Sequence, residues 1–318
     1  MKLNLVINNA IDAKNISGAH NSNIKIIEDN FGVEIGVNGS SVIVNTEEPE
    51  IIALLESVFK ILLRMSSLSF KISPRDVLYV ITIAKNNKEQ QYIEFIENRK
   101  PICNNLYNKP IFAKTLKQDE YIKCIQKKDL IFSIGAAGTG KTYLAVCYAV
   151  SELKKGNIEK IILTRPAVEA GESLGFLPGD LKEKVDPYLR PLYDALYDML
   201  GIENVTSMIE KQIIEIAPLA YMRGRTLENA FIILDEAQNA TIDQLKMFLT
   251  RLGFNSKMIV TGDISQVDLP NSKKSGLKVS ANLLKGLDEV GLIIFEKNDV
   301  VRHPLVAKII DRFEKLEE

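Results

Sequence analysis

A glycine-rich loop between an apolar run and a helix-forming segment constrains the fold of this chain more than any other feature. Residues 135–142 have the sequence GAAGTGKT, which satisfies the pattern G-x-x-x-x-G-K-[ST]. The run LIFSI (130–134) precedes the loop, and a predicted helix follows it and ends at Gly156. In such a strand–loop–helix unit, backbone N–H groups and the helix N-terminus bind phosphate. A chance glycine-rich turn would lack this context.

The residue types of this loop indicate how a nucleotide would be held. Lys141 would reach the β- and γ-phosphates, and the Thr142 hydroxyl would bind Mg²⁺. Cys147, on the following helix, is interpreted as a small core residue rather than a nucleophile. The predicted nucleotide-binding residues in this segment are Gly135, Ala136, Ala137, Gly138, Thr139, Gly140, Lys141, Thr142 and Tyr143.

Short apolar runs alternate with helical segments after residue 110. The runs lie at 130–134, 160–164, 231–235, 258–262 and 292–296. Continuous apolar runs of this length, separated by helices, are typical of strands buried on both faces of a parallel sheet. The sequence therefore predicts an α/β fold for this part of the chain.

The first 100 residues predict a small α+β domain. A hairpin is predicted over 31–45, because Asn38-Gly39 accepts the positive φ of a tight turn. Helices are predicted over 48–68, 74–85 and 89–97, and residues 99–110 show no periodicity. The asparagine-rich residues 1–23 are predicted to be a loose start, with a strand over 24–27. The predicted domains are therefore 1–100 and 111–318, with a linker over 101–110.

Composition excludes several classes of protein. The chain has 318 residues, of which 46% are apolar and 25% charged, with a net charge of −1. The sequence has no apolar run of 18 residues and no signal-peptide pattern, so we expect a cytoplasmic protein without a membrane span. Its three cysteines are too widely spaced for a zinc site and give no disulfide framework. The balanced charge gives no compositional sign of nucleic-acid binding.

Two further strand ends carry residues suited to nucleotide hydrolysis. After the run FIIL, Asp235 would hold Mg²⁺ and Glu236 would accept a proton from the attacking water. After the run MIVTG, Asp263 is followed by Gln266, whose amide would bond the γ-phosphate or the attacking water. Taken alone, the acidic pair is equally compatible with a solvated strand end, and Gly262-Asp263 with an ordinary turn.

Five segments together resemble the PhoH family of ATPases. They are GAAGTGKTYLAV (135–146), LTRPAVEAGESLGFLPGDLKEKVDPYLRPLYDAL (163–196), AYMRGRTLENAFIILDEAQNATIDQLKMFLTRLG (220–253), SKMIVTGDISQVDLP (256–270) and DVVRHPLV (299–306). The resemblance spans about two thirds of the chain. It implies a RecA-like P-loop NTPase sheet, related to the nucleotide-binding half of superfamily 1 helicases. It also implies Mg²⁺-dependent ATP hydrolysis coupled to remodelling of RNA or another nucleic acid.

The resemblance also implies roles for residues outside the glycine-rich loop 135–142, which is called the phosphate loop below. DEAQ (235–238) and GDISQ (262–266) resemble helicase motifs II and III. Gln118 resembles the glutamine that reads the adenine edge, although a helix-surface glutamine is the alternative. Family members often have proline at the position of Ala136, which contributes only backbone. The N-terminal domain is loosely KH-like, but its Gly36-Val-Asn-Gly39 string falls in a predicted hairpin, so a structural or assembly role is favoured over RNA contact.

Only one RecA-like unit fits in the chain from residue 130 onward. A superfamily 1 helicase needs two, and the second supplies an arginine that neutralises transition-state charge. We therefore expect a homo-oligomeric ring, with a hexamer as the expected form, in which a neighbouring subunit supplies this arginine. Arg302 is the candidate, and Arg165, Arg223 and Arg225 are further motif arginines. A surface salt bridge is the alternative for each of them.

The segment 171–201 interrupts the alternation of strands and helices. It contains three prolines, and a helix is predicted from Pro191 onward. Tyr188, Arg190 and Tyr193 interleave aromatic and basic side chains, a weak indication of single-strand binding. The segment is predicted to contact substrate or a partner, or to be a packed flap, and the sequence does not separate the two.

Three functional hypotheses remain from the sequence. The first is an ATPase acting on single-stranded or structured RNA, with an RNA-processing protein as a further expected partner. The second is a nucleotide-gated RNA-binding or adaptor module without unwinding activity, which Glu236 disfavours because that residue serves hydrolysis. The third is a small-molecule kinase with a phosphate loop, which the DEAQ and GDISQ segments disfavour.

Overall fold

The computed structural model describes residues 9–38, 41–166, 181–269 and 274–296, together with positions 2, 3, 5, 7, 299, 306, 309 and 312. At 38 and 181–188 it describes the backbone but not the side chains. The chain divides into two compact units, residues 1–99 with 298–318, and residues 100–297. This division differs from the predicted one in assigning 101–110 to the larger unit and the C-terminal segment to the smaller.

The smaller unit combines helices with one hairpin. Its elements are α1 (Ala10–Ser17), α2 (Ser22–Phe31), β1 (Ile35–Asn38), β2 (Ser41–Val44), α3 (Pro49–Ser67), α4 (Pro74–Lys85) and α5 (Glu89–Asn98). Strands β1 and β2 pair antiparallel, so the predicted hairpin is confirmed, and helices α3 to α5 match the predictions closely. Gly36 lies within β1, while positions 39 and 40 lie outside the described residues.

The predicted loose start and the predicted strand over 24–27 are wrong. Helix α1 begins after Asn9, whose side chain accepts a hydrogen bond from the Asp12 backbone at 2.8 Å. Ile24 and Ile27 are buried on one face of α2. Their spacing of three residues is compatible with a helix, and the run of β-branched side chains is compatible with a strand. The segment forms a helix because this places both isoleucines in the core.

The segment predicted as a linker forms a small hairpin. Its strands, β3 (Cys103–Asn104) and β4 (Pro110–Ile111), pair antiparallel. Cys103 is buried in the core of the larger unit, where its thiol lies 3.4 Å from the Met199 sulfur. This apolar anchor explains why a segment rich in asparagine and proline is ordered as part of that unit.

The larger unit is built on a six-stranded parallel sheet. Its strands are β5 (Leu130–Ile134), β6 (Lys160–Arg165), β7 (Ile214–Pro218), β8 (Ala230–Leu234), β9 (Lys257–Gly262) and β10 (Val290–Ile294), paired in the order β10-β5-β9-β8-β6-β7. The predicted α/β fold class is thus confirmed, and the five predicted strands agree with the structure within two residues. Strand β9 lies between β5 and β8, so the carboxyl ends of these three strands are adjacent.

Strand β7 was not predicted from the sequence. It lies at one edge of the sheet, and it contains Glu215 and ends at Pro218. Only part of it is buried, so it lacks the continuous apolar run that marks the inner strands. An edge strand tolerates proline and charge because one side needs no partner strand.

Helices cover both faces of this sheet. They are α6 (Leu116–Lys127), α7 (Lys141–Lys154), α8 (Leu181–Leu200), α9 (Ile202–Glu210), α10 (Ile242–Leu249) and α11 (Leu277–Leu284). Adjacent residues of one strand serve opposite faces: Ile131 packs in the core that includes α7 and α8, and Phe132 in the core that includes α10 and α11. Burial on both faces accounts for the uninterrupted apolar runs.

Helix α8 begins earlier than predicted. It includes Pro187 and Pro191 within its span, although proline is costly in a helix interior. Leu192, Leu196 and Met199 are buried against α7 and the sheet, and this packing offsets the local preference. Residues 171–180 lie outside the described part. Among the described residues, none of the helices is long and apolar enough to span a membrane.

Candidate functional site

The loop between β5 and α7 requires glycine at defined positions. Gly135, Gly138 and Gly140 have φ values of 154°, 86° and 85°, a region that other residues rarely adopt. A Cβ at Gly135 would lie 2.6 Å from the carbonyl oxygen of Phe295, the residue after β10. The loop is therefore held tightly against the neighbouring strand end, with its backbone at the start of α7.

We expect replacement of Gly135 by alanine to destabilise the larger unit. The added methyl group would overpack against Phe295, which costs about 1–3 kcal/mol of unfolding free energy, beyond about 1–3 kcal/mol for a sparsely populated backbone conformation. Gly156→Ala is the matched control, because Gly156 has a φ of +74° but a methyl group there would meet no atom within 4 Å. Denaturant unfolding followed by circular dichroism measures both variants, and equal losses would contradict the steric explanation.

Lys141 lies along this loop. Its side chain is buried, and Nζ donates hydrogen bonds to the carbonyl oxygens of Gly135 at 2.6 Å and Ala136 at 2.9 Å. Burial lowers the pKa of the Lys141 ammonium group, and the carboxylates of Asp263, Asp235 and Glu236 act in the opposite direction. The ammonium group is thus held by the loop, and three carboxylates influence its pKa.

Three oxygen atoms from separate strands and helices meet beside the lysine. The Thr142 hydroxyl donates to Asp235 Oδ1 at 2.6 Å, and the Thr261 hydroxyl donates to the same oxygen at 2.8 Å. Asp235 follows β8, Thr261 lies in β9, and Thr142 is in the first turn of α7. A hydroxyl and a carboxylate oxygen are hard ligands of the kind that Mg²⁺ prefers, so Thr142 and Asp235 fit this ion.

Glu236 is engaged through both of its carboxylate oxygens. Oε1 lies 3.7 Å from Arg165 Nη2, and Oε2 accepts a hydrogen bond from Gln238 Nε2. The backbone of Glu236 has a φ of 51°, a left-handed conformation that is uncommon outside glycine and asparagine. Arg165, predicted as one of several motif arginines, therefore contacts the acidic residue of its own chain.

Gln238 and Asp263 are site residues whose roles sequence reasoning missed. The Asp263 carboxylate accepts a hydrogen bond from the Ala137 backbone at 3.1 Å, and its own backbone N–H donates to Gln238 Oε1 at 2.9 Å. Both side chains are buried. The available signal was their place in the DEAQ and GDISQ segments, but their mutual contact depends on the pairing of β8 with β9.

A cavity of about 540 Å³ opens beside these residues. The phosphate loop, Asp235, Glu236, Asp263 and Gln266 line one part of it, and Pro191, Asp194, Ala195 and Asp198 of α8 line another. The Tyr143 hydroxyl donates a hydrogen bond of 2.7 Å to Asp198. Burial and this bond raise the pKa of the Tyr143 hydroxyl, so Tyr143 stays a protonated donor that joins α7 to α8.

The predicted residue Gln118 is not among the residues that line this cavity. Gln118 donates to the Thr139 carbonyl at 2.9 Å and accepts from the Lys114 backbone at 2.7 Å. It therefore braces the phosphate loop, and its role in reading adenine stays a prediction. Arg302 lies outside the described residues.

The remaining predicted basic and aromatic residues have varied surroundings. Arg225 pairs with Glu215 at 2.6 Å, which supports the salt-bridge alternative for this arginine. Tyr193 is half-buried, and its ring centroid lies 5.9 Å from that of Tyr197. Arg190 and Arg223 are exposed, and the side chain of Tyr188 lies outside the described part.

A family model and several relatives of this chain carry PhoH names. A family model described as "PhoH-like protein" matches residues 110–314. The PhoH-like protein of Bacillus subtilis (strain 168) is 53% identical over 315 residues, covering 99% of this chain and 98% of that protein. The PhoH-like protein of Synechocystis is 47% identical, with 91% and 90% covered. Protein PhoH of Escherichia coli K12 is 47% identical over 206 residues, with 64% and 58% covered.

Among solved structures, the Pif1 helicase from Candida albicans is similar to 65% of this chain and 45% of its own chain. The identity is 13% and the TM-score is 0.32.

Proposed function

This chain belongs to the PhoH family, and we propose that it binds ATP with Mg²⁺ and hydrolyses the bond to the γ-phosphate. The observation that carries the proposal is the contact between Thr142 and Asp235, 2.6 Å apart across two elements. It joins the phosphate loop to the acidic strand end at the cavity that Glu236 also lines.

The residues of the phosphate loop would bind and orient the nucleotide. The backbone N–H groups at the start of α7 and the Lys141 ammonium group would bind the phosphate oxygens. Thr142 and Asp235 would hold Mg²⁺, which when bound neutralises charge on the β- and γ-phosphates. Tyr143 and Gln118 complete the proposed nucleotide-binding residues.

Glu236 would serve the hydrolytic step. The oxygen of a water molecule bonds to the γ-phosphorus, the bond from that phosphorus to the bridging oxygen breaks, and the proton of the water passes to the Glu236 carboxylate. Gln266 lines the same cavity and would orient this water or contact the γ-phosphate. ADP and inorganic phosphate are the products.

We further propose that hydrolysis drives remodelling of RNA or another nucleic acid in a cytoplasmic homo-oligomer. The described part of the larger unit contains one parallel sheet. Because a superfamily 1 helicase uses two such units, with an arginine from the second, a neighbouring subunit would have to supply that arginine here. A ring, with a hexamer as the expected form, would let Arg302 of one subunit neutralise charge at the site of the next. An RNA-processing protein is the further partner proposed for this activity.

Phosphate release by the purified full chain tests the proposed function. We expect ATP hydrolysis that RNA stimulates, and displacement of a labelled strand from RNA or DNA duplexes only when ATP is present. Nucleotide-dependent RNA binding without hydrolysis would instead favour an adaptor module, the alternative function. The presence of Glu236 at the cavity argues against that alternative, because a pure switch does not need a proton acceptor.

Removal of Mg²⁺ provides a separate check on the proposed metal ligands. We expect chelation with EDTA to stop hydrolysis and added Mg²⁺ to restore it. Loss of an outer-shell partner of a metal ligand already costs about 10–100-fold, so Thr142→Ala should raise the Mg²⁺ concentration for half-maximal activity at least about 10-fold. Thr142→Ser keeps the hydroxyl and should behave like the wild type. Hydrolysis that persists in EDTA would contradict the assignment of these ligands.

A further inference from the structure

Gln238 is a buried carboxamide that joins two parts of the proposed site. Its side chain has no exposed surface. Its Nε2 donates to Glu236 Oε2, and its Oε1 accepts from the Asp263 backbone N–H at 2.9 Å. Both ends of the amide are therefore engaged, and a buried polar group with both ends satisfied is held in one orientation.

The connection continues from Asp263 into the phosphate loop. Asp263 Oδ2 accepts a hydrogen bond from the Ala137 backbone N–H at 3.1 Å, and its other oxygen accepts from Ser265. Three hydrogen bonds thus lead from Glu236 through Gln238 and Asp263 to Ala137. They cross from the end of β8 to the end of β9 and on to the loop after β5.

The space for this glutamine depends on Gly262. A Cβ at that position would lie 2.8 Å from Gln238 Oε1 and 3.1 Å from the Gln238 backbone nitrogen. Because Gly262 is the last residue of β9, the absence of its side chain lets the carboxamide approach the Asp263 backbone. The position of the amide therefore depends on β9, the strand that lies between β5 and β8.

The two contacts to Glu236 differ in kind. The Gln238 contact is a partly buried hydrogen bond, whereas Arg165 Nη2 lies 3.7 Å from Glu236 Oε1, and these two side chains are 22% and 33% exposed. A contact of this length between partly exposed side chains is too long for a hydrogen bond and constrains geometry weakly. The amide is thus the stronger restraint on where the carboxylate points.

We propose that Gln238 is a positioning residue that fixes the Glu236 carboxylate for attack by water and ties it to the phosphate loop through Asp263. The inference rests on the proposed ATP hydrolysis. Gln238 itself would not touch the reacting atoms. Through Asp263, Gln238 would instead couple the position of the Glu236 carboxylate to that of the loop backbone at Ala137.

Two substitutions test the hydrogen bonds made by the oxygen and the nitrogen of the Gln238 carboxamide. Gln238→Glu keeps an acceptor for the Asp263 N–H but replaces the donor to Glu236 with a carboxylate, and Gln238→Met keeps the approximate volume but removes both contacts. We expect kcat to fall about 10–100-fold in each, because small misplacements of a reacting group have effects of this size. The KM for ATP should stay within about 3-fold of the wild-type value, since the loop residues that bind phosphate are unchanged.

Gln244→Glu is the matched control. Gln244 is an exposed glutamine in the first turn of α10, and its Oε1 accepts a hydrogen bond from the Thr241 backbone at 2.9 Å. A glutamate keeps this acceptor, so we expect wild-type kcat and KM. Thermal unfolding of all variants establishes that they are folded under the assay conditions, and Gln238→Met retains a neutral side chain if Gln238→Glu does not fold.

A double-mutant cycle with Glu236→Gln distinguishes positioning from a general structural role. If Gln238 acts through Glu236, then Gln238→Met should not lower further the residual single-turnover rate of Glu236→Gln. Equal losses in both backgrounds, or a Gln238→Glu variant with wild-type kcat, would overturn the inference. A wild-type chain without ATPase activity would instead overturn the proposed function, so the two failures are distinguishable.

Discussion

Replacement of Lys141 by alanine is expected to abolish both ATP binding and ATP hydrolysis. The ammonium group of Lys141 lies at the phosphate loop, and Asp263, Asp235 and Glu236 are the charged groups that act on its pKa. Without the lysine, these three carboxylates would face a polyanionic ligand, and their repulsion would add to the loss of the direct contact with the β- and γ-phosphates.

Binding of a fluorescent ATP analogue and phosphate release measure the two effects separately. Lys155→Ala is the matched control, because Lys155 lies just after the end of the same helix and forms an exposed ion pair with Glu152 at 2.8 Å. Removing such a pair changes the unfolding free energy by at most about 1 kcal/mol, and we expect unchanged turnover. Wild-type hydrolysis by Lys141→Ala would refute the assignment of the phosphate-binding site.

The second large effect is expected at Arg302, the predicted arginine supplied by a neighbouring subunit. An arginine that neutralises transition-state charge accelerates hydrolysis about 10³–10⁵-fold. We therefore expect Arg302→Ala to retain ATP binding and to lose turnover by a factor in this range. Phosphate release under single-turnover conditions measures the loss.

Mixed rings test whether this arginine acts between subunits. Lys141→Ala subunits lack a working phosphate loop but carry Arg302, and Arg302→Ala subunits have the opposite defect. In a head-to-tail ring assembled by co-expression at equal amounts, about one quarter of the interfaces would combine an intact loop with an intact arginine. We expect activity to return to about that fraction of the wild-type value.

The same experiment shows what would contradict a shared site. If Arg302 acted within its own subunit, each subunit of the mixture would lack either the lysine or the arginine, and the mixture would stay inactive. Analytical ultracentrifugation of the wild-type chain checks the assembly independently, and a monomer at assay concentrations would refute the ring.

Local sequence was sufficient to predict the elements that carry the site. The strand β5, the glycine-rich loop and the helix α7 form one contiguous unit, so their pattern could be recognised without knowledge of the rest of the fold. Asp235 and Glu236 were predicted because they end an apolar run, and parallel strands bring their carboxyl ends to one edge. The observed contact of Thr142 with Asp235 joins these two predicted parts.

The errors arose where local patterns are ambiguous. The run Ile24–Ile27 is compatible with a strand, yet its side chains are buried on a helix. Helix α8 includes two prolines because leucine and methionine side chains along it are buried. Edge strand β7 lacks a continuous apolar run. In each case packing with residues remote in sequence outweighed the local preference.

The sequence by itself determined the class of fold and the position of the glycine-rich loop between β5 and α7, because each depends on residues that are contiguous or regularly spaced. Tertiary structure alone decided which side chains meet across the strand ends. Gln238 reaches Asp263 because β8 pairs with β9, and Arg165 reaches Glu236 because β6 pairs with β8. Strand order brings together residues that are distant along the chain, and local periodicity carries no information about that order.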